Sequence, residues 1–350
     1  MTEEKKEEKR MGWESAREIE AEKTTMGARA VLSKENIKTL LMYSLAFIGL
    51  FGIAWWLAGC PFEFTQRLPS EYVIKNGLMG TNNWTIVWYV VGMCAFFEFM
   101  DSAGGMGYGT ALTPIMLMAG FDPKQVVPCV MITEAFTGII AGFVHSEFGN
   151  VEWSFRPLNE TTKLTVLVCA VGVVCVCFSI TAAYKVLKVH KVWIKLYVAV
   201  LLIVMGVCSL YTAKKYTTYR PKWMLLFAGL GGFNKGVGGG GYGPVITVGG
   251  LLAGVPVKSM VAVTSLAEGV TCVFAVCMWF ILLSTGVVID YILLPSFVIG
   301  TVIAAVAAPY VTRIFSEKFW KILVPTYCCI LAVYCFYKII PDVIKKLKAG

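Results

Sequence analysis

GGFNKGVGGGGYGPVIT, residues 231–247, sets a run of glycines and a single lysine between two apolar stretches. A glycine in a helix interior costs roughly 1 kcal/mol relative to alanine, so this composition breaks whatever helix it falls in. Backbone N–H and C=O groups freed by such a break are tolerated at membrane depth only where they face protein or water. Whether the stretch interrupts a membrane segment or links soluble elements decides the fold.

Its surroundings point to the membrane. Of 350 residues, 57% are hydrophobic and 15% charged, and the mean hydropathy is +0.70. Apolar windows with the length of a bilayer span, about 20 residues, are read at 39–60, 84–100 with 110–119, 124–145, 164–187, 192–212, 222–233 with 242–253, 257–283, 287–311 and 319–340. The expectation is an all-α membrane protein of about nine transmembrane segments, multi-pass in the cell membrane. A β-barrel requires short alternating segments instead. GVGGGG (236–241) formally satisfies GxGxxG, but a dinucleotide site needs a preceding strand in a βαβ unit, and apolar helical windows flank it here.

Sliding the chain on itself by 134 positions lays FMDSAGGMGYGTALT (99–113) on FNKGVGGGGYGPVIT (233–247) without a gap. Gly104, Gly105, Gly107, Tyr108 and Gly109 meet Gly238, Gly239, Gly241, Tyr242 and Gly243; further on Lys124 meets Lys258 and Glu134 meets Glu268. Fifteen of the 43 positions from 99 to 141 are identical to their partners, more than shared apolar composition explains. A second echo, at a shift of 138, lays NVEWSFRP (150–157) on VIDYILLP (288–295). A duplication is therefore expected, with two tandem four-helix repeats at 84–212 and 222–340, each containing a Gly-rich broken helix. Paired Gly-interrupted spans in two halves are the best sequence pointer to a transporter's substrate site. The glycines named above, with Tyr108, Tyr242 and Lys235, are the candidate substrate-binding residues. Exposed N–H groups and a helix N-terminus near Tyr242 would suit an anion. The two tyrosines either add hydroxyl donors or pack the breaks.

Charges near the bilayer centre cost about 2.5–3.5 kcal/mol on insertion scales and mark functional positions by default. Asp101, Glu134, Lys235 and Glu268 stand out. Glu134 lies about 11 residues into its window and Glu268 about 12 into its own, which puts both near the midplane at 1.5 Å per residue. Asp101, Glu134 and Glu268 are candidate coupling groups, or else hydrogen bonders that brace the broken segments. Asp101 aligns with Lys235, so the two either pair with each other or leave Lys235 as counter-ion to an anionic substrate.

Residues 1–38 carry nine basic and nine acidic side chains, so this charged cytoplasmic tail is neutral and the whole net charge of +9 belongs to the membrane body. Its composition predicts a solvated or disordered segment. No secretory signal precedes the first apolar run, 39–60, an additional transmembrane helix outside the repeats and expected to remain in the mature protein. Nearly all twelve cysteines fall in apolar runs, as small buried hydrophobes do. His145 and His190 lie near span ends, and no Cys/His cluster forms a metal signature. No cofactor, metal, catalytic residue or nucleic-acid partner is expected; HExxH and GxSxG are absent from the sequence.

At DSAGGMGYGTALTP (101–114), HSEFGNVEW (145–153), GGFNKGVGGGGYGP (231–244) and TSLAE (264–268), the sequence resembles the TauE/SafE sulfite exporter family, also called the toluene sulfonate uptake permeases. The likeness covers about 84–340. It implies a duplicated four-helix unit and transport of small sulfur-containing anions, such as sulfite or organosulfonates, by a membrane carrier. Two departures are VMI (130–132) where the second repeat has TSL (264–266), and the additional span at 39–60.

The expected function is a proton-coupled secondary transporter of a small sulfur anion, bound mid-membrane in a wet pocket between the broken helices. The alternative from the same residues is a passive anion channel; a membrane enzyme or a scaffold acting through the tail finds no supporting motif. Topology stays open. Lys185, Lys188, Lys191 and Lys195 fall on one side and Lys214, Lys215, Arg220 and Lys222 on the other, so the positive-inside rule selects neither orientation. A re-entrant broken segment would invert the repeats, and four crossing spans per unit would make them parallel.

Overall fold

The computed structural model describes residues 11–23, 25–57, 63–64, 85–186, 191–212, 219–287 and 289–348. His190, Lys188, Lys214 and Lys215, singled out above, lie outside them, as do residues 1–10 of the tail. The described chain is helical apart from one parallel pair of two-residue strands, β1 (Glu63–Phe64) and β2 (Thr85–Ile86). The helices are α1 (Glu14–Glu22), α2 (Met26–Ala30), α3 (Lys34–Leu57), α4 (Trp88–Gly104), α5 (Thr113–Met118), α6 (Pro123–Glu147), α7 (Glu160–Ile180), α8 (Lys191–Thr212), α9 (Trp223–Gly238), α10 (Tyr242–Leu252), α11 (Val257–Ser284), α12 (Leu294–Ile314) and α13 (Glu317–Lys348). A π-helical turn, Tyr108–Leu112, leads into α5, and another, Thr181–Val186, prolongs α7.

Four of the described helical stretches combine the length and composition needed to cross a membrane: 123–147, 160–186, 257–284 and 294–314. Shorter apolar stretches occupy 199–208, 242–252 and 332–341. The expectation of about nine crossing segments is therefore met only in part. The second broken window does not cross at all. Phe227 of α9 lies against Gly249 of α10, and Arg220, before α9, donates its N–H to the carbonyl of Ala253, after α10, at 2.7 Å. Helices α9 and α10 form a hairpin that returns to the side it left.

Each break is built the same way. The helix ends at a glycine in the left-handed region, Gly105 (φ 71°) after α4 and Gly239 (φ 72°) after α9. Each donates its N–H back, to Asp101 O at 2.7 Å and to Lys235 O at 2.8 Å respectively. Such a turn is nearly free for glycine and strained for any residue with a Cβ.

Packing is interleaved. Helix α4 lies on α12, α9 on α7, α6 on α11 and α8 on α13. At the α6–α11 crossing the backbones almost touch: a Cβ on Gly138 would stand 2.6 Å from Ser265 O and 2.8 Å from Gly269 N. Small residues permit such approach between membrane helices, and this crossing brings Glu134 and Glu268 to the same place. Helix α3, the expected additional span, lies against α12 and α6 and exposes Leu41, Leu45, Ile48 and Ile53.

The reading of the leading segment as solvated fails for residues 11–16. Met11 and Gly12 accept hydrogen bonds through their carbonyls from Thr161 N (3.0 Å) and Glu152 N (2.8 Å). Trp13 is buried in a cluster with Leu164, Met224, Tyr242 and Ile246, edge-on to Tyr219 at 5.4 Å. Charge balance averaged over the segment hid one tryptophan and a backbone that pairs with the α6–α7 loop.

Candidate functional site

The two breaks meet. A Cβ on Gly109 would collide with Gly239 O, and one on Gly240 would collide with Gly109 O; one on Gly243 would stand 2.6 Å from Gly105 O. Thr110 Oγ1 accepts from Gly241 N at 3.0 Å, and Thr247 Oγ1 donates to Gly105 O at 2.9 Å. Each break thus supplies a threonine that satisfies the other's backbone, which removes the main cost of opening a helix away from water.

At this crossing sits Lys235, on the last turn of α9, fully buried. Its ammonium is ion-paired with Glu134 Oε2 and with Glu268 Oε1, the latter at 2.6 Å. The C-terminal end of a helix carries partial negative charge and favours a cation there. Glu134 Oε1 accepts the N–H of Gly109 at 3.1 Å, and the Cys272 thiol lies 3.7 Å from its other oxygen. Asp101 brings a carboxylate oxygen within 4.8 Å of those of Glu134 and Glu268. Such a trio is the donor set of a cation site; here the Lys235 ammonium takes the cation's place beside two of them.

Lys235 is therefore paired with the two mid-span glutamates rather than being ion-paired with Asp101 or standing open to solvent. Residues 102–114 and 238–250 are all buried, Gly104, Gly107 and Gly238 among them. The breaks close on each other because they are made of glycine, whose backbone can approach without side chains to hold it apart. Both tyrosines pack. Tyr108 shares a hydrogen bond with Thr133 at 3.0 Å, and Tyr242 accepts one from Thr271 at 3.4 Å.

A model of the sulfite exporter TauE/SafE family matches residues 89–335, which takes in both breaks and Asp101, Glu134, Lys235 and Glu268. The chain belongs to the TauE/SafE family. That family is one of membrane transporters, not enzymes, and the apolar spans agree with an integral membrane protein. A relative from Bacillus subtilis (strain 168), named "Probable membrane transporter protein YtnM", is 25% identical over 171 residues, 46% of this chain. The match spans 52% of that relative's length, about half. No solved structure matches the chain. Helix α3 and the docked arm 11–22 lie outside the TauE/SafE match.

Three further buried side chains of this TauE/SafE protein, to which the sequence assigned no role, stand beside the first break. Glu98 is buried with Oε1 bonded by Ser102 at 2.7 Å and Oε2 without a hydrogen-bond partner. Its repeat partner is Gly232, so the alignment gave no signal. Spacing did: Glu98 precedes Asp101 by three positions on α4, on one helix face. His145 Nε2 lies 2.8 Å from Ser102 O, while Asn150 donates to Nδ1 at 2.9 Å and to Pro309 O at 3.0 Å. With Nδ1 accepting, Nε2 carries the proton, and the imidazole pins the carbonyl just ahead of the first break. Asn150 belongs to the quoted GNVEW loop, whose chemistry is legible only once the helices are assembled.

Proposed function

We propose that this protein is a secondary carrier that moves a small sulfur-containing anion, sulfite or an organosulfonate, together with protons, and binds it mid-membrane where the two breaks cross. The observation that carries the reading is the buried Lys235 ammonium held by Glu134 and Glu268 between two broken helices. Ionisable groups so placed in lipid mark ion or proton pathways. The transporter family favours a carrier over a passive anion channel.

Glu134 stands where an anion would bind, on Gly109 N–H and on the Lys235 ammonium. A substrate anion needs the same two donors. A proton arriving on Glu134 cancels its charge and loosens its hold on both, which frees them for the substrate. When the substrate leaves, the ionised carboxylate returns. Proton and anion are then coupled through competition for one ammonium. Asp101 and Glu268 add two more carboxyls around that ammonium, and an unbalanced buried charge costs several kcal/mol per ion, so proton occupancy and anion occupancy are bound together.

In this reading both breaks descend from one duplicated unit. Support comes from Gly105 and Gly239, and from Gly120 and Gly254, pairs of positive-φ glycines 134 positions apart. The first helix of each unit packs on the third of the other, α4 on α12 and α9 on α7. With α8 and α13 taken as crossing beside the four long spans, and the first break folded like the second, each unit makes three crossings, an odd number, which inverts the second unit relative to the first. Rocking of one unit against the other then opens the crossing alternately to each side.

The test is counterflow of radiolabelled sulfite in proteoliposomes under an imposed pH gradient. Saturable counterflow, accelerated by the gradient, is expected; a voltage-driven current that does not saturate would replace the carrier with a channel. A panel of sulfite, thiosulfate, sulfoacetate and sulfate, scored by thermal stabilisation of the purified protein, names the anion.

A further inference from the structure

Away from the crossing, a groove of about 440 Å³ opens where α6, α7 and α11 meet. That volume lies within the range of about 300–1,000 Å³ typical of small-molecule sites. Phe143, Val166, Ala170, Val173, Leu266 and Phe274 make half of its lining. Phe143, Val166 and Phe274 are 47%, 58% and 47% exposed on the flanks of membrane-crossing helices, so the groove opens toward lipid.

Its polarity is confined to one end. There the hydroxyls of Thr162 and Thr165 are committed to Asn159 Oδ1 at 2.6 Å and Thr161 O at 2.8 Å. The indole Nε1 of Trp153, in the loop between α6 and α7, is buried without a hydrogen-bond partner. Along α7 the groove runs from Thr162 to Val173, about 16 Å at 1.5 Å per residue. That is close to half the roughly 30 Å hydrocarbon thickness of a bilayer. A tube of hydrocarbon, one leaflet long, with a single donor at its interfacial end, matches one kind of molecule.

We infer that the groove binds one acyl chain of a bilayer glycerolipid, whose ester carbonyl accepts a hydrogen bond from Trp153 Nε1. A sulfur anion finds no cation among the wall residues, and the groove is a slot between helices rather than a flat face for a protein. The walls tie the occupant to the transport core. Leu266 is two positions from Glu268 and presses on α6 where a Cβ on Gly142 would stand 2.6 Å from Leu266 Cβ. The docked arm steadies the donor, since Gly12 O accepts from the N–H of Glu152, next to Trp153.

The experiment reconstitutes the full chain with a phosphatidylcholine carrying a diazirine midway along one acyl chain. It is illuminated after transfer to mild detergent, so that only retained lipid reports, and the labelled peptides are mapped by mass spectrometry. Label is expected on 164–173 and 266–274 in clear excess over α13, where Ile330 and Val333 are also exposed. Ala170→Trp, which fills the groove, removes that excess. Trp153→Phe lowers it roughly three- to tenfold, the worth of about one hydrogen bond. Each variant is scored with its thermal midpoint, and Val173→Phe replaces Ala170→Trp if the latter does not fold. Equal labelling of α7 and α13, or labelling unchanged by a folded groove-filling variant, overturns the site; labelling unchanged by Trp153→Phe overturns the carbonyl contact.

Discussion

Lys235 and Glu134, 101 positions apart in sequence, form an ion pair with both side chains sealed from solvent. Two elements must fold correctly for it to exist: α9 must end at Gly239, and α6 must cross α11 at Gly138. The pair therefore ties the broken helix to the continuous one. In the proposed cycle it is also the internal substitute for substrate, which keeps the ammonium occupied when no anion is bound.

Replacement of Lys235 by Met is expected to abolish anion binding and to destabilise the fold, because removing one partner of a buried pair costs about 3–5 kcal/mol. The double variant Lys235→Met with Glu134→Gln removes the stranded charge. It should recover much of the lost thermal stability and none of the sulfite binding. Binding retained in the folded double variant would count against the ammonium as the anion's partner.

Glu134→Gln mimics the protonated acid and cannot compete with an anion for Lys235. Sulfite binding by this variant is expected to become nearly independent of pH while coupled uptake against a gradient is lost. Glu268→Gln leaves the contact between Glu134 and Gly109 intact, so its binding should keep a pH dependence. Binding titrations at several pH values distinguish the two, and identical wild-type profiles in both variants would remove the coupling role from each.

Gly109→Ala places a Cβ against Gly239 O, 2.9 Å from Glu134 Oε1 and 3.1 Å from Lys235 Nζ. Overpacking of this kind costs about 1–3 kcal/mol, and the displaced carboxylate should reduce transport more than stability. Gly92→Ala, on the same broken helix with nothing within 4 Å of its new Cβ, is the control. It should stabilise by about 0.5–1 kcal/mol and transport normally. Thermal midpoints with uptake rates decide between them.

The breaks and the charges Asp101, Glu134, Lys235 and Glu268 were legible because each breaks a local rule: glycine in a helix, charge in lipid. Which charge pairs with which was not. Asp101 aligns with Lys235, yet the crossing geometry gives the ammonium to Glu134 and Glu268. Nor was the hairpin readable, since apolar windows 222–233 and 242–253 have the same composition whether the chain continues or turns back. The left-handed turn at Gly239 and the contact of Phe227 with Gly249 decide that in three dimensions. Glu98 hid behind a repeat alignment that pairs it with glycine, and Trp13 behind a charge-balanced tail.

Docking of the arm depends on pH through Glu14. Burial pushes the Glu14 carboxyl above its ordinary value of 4.5, and the nearby Glu152 charge pushes the same way, while the hydrogen bond from Gly12 N at 2.9 Å opposes both. The other oxygen of Glu14 has no partner. A raised value means that the docked arm favours the neutral acid, so this contribution to docking is full below the ordinary value and fades as pH rises through the raised one. Hydrogen exchange at the amides of 13–16, compared between wild type and Glu14→Gln at each pH, cancels the intrinsic rate. As pH rises from below the ordinary value through the raised one, the wild-type arm should lose protection relative to the variant. A ratio constant across that range would mean that Glu14 titrates alike in the docked and free arm, and that the burial of Trp13 alone holds the segment down.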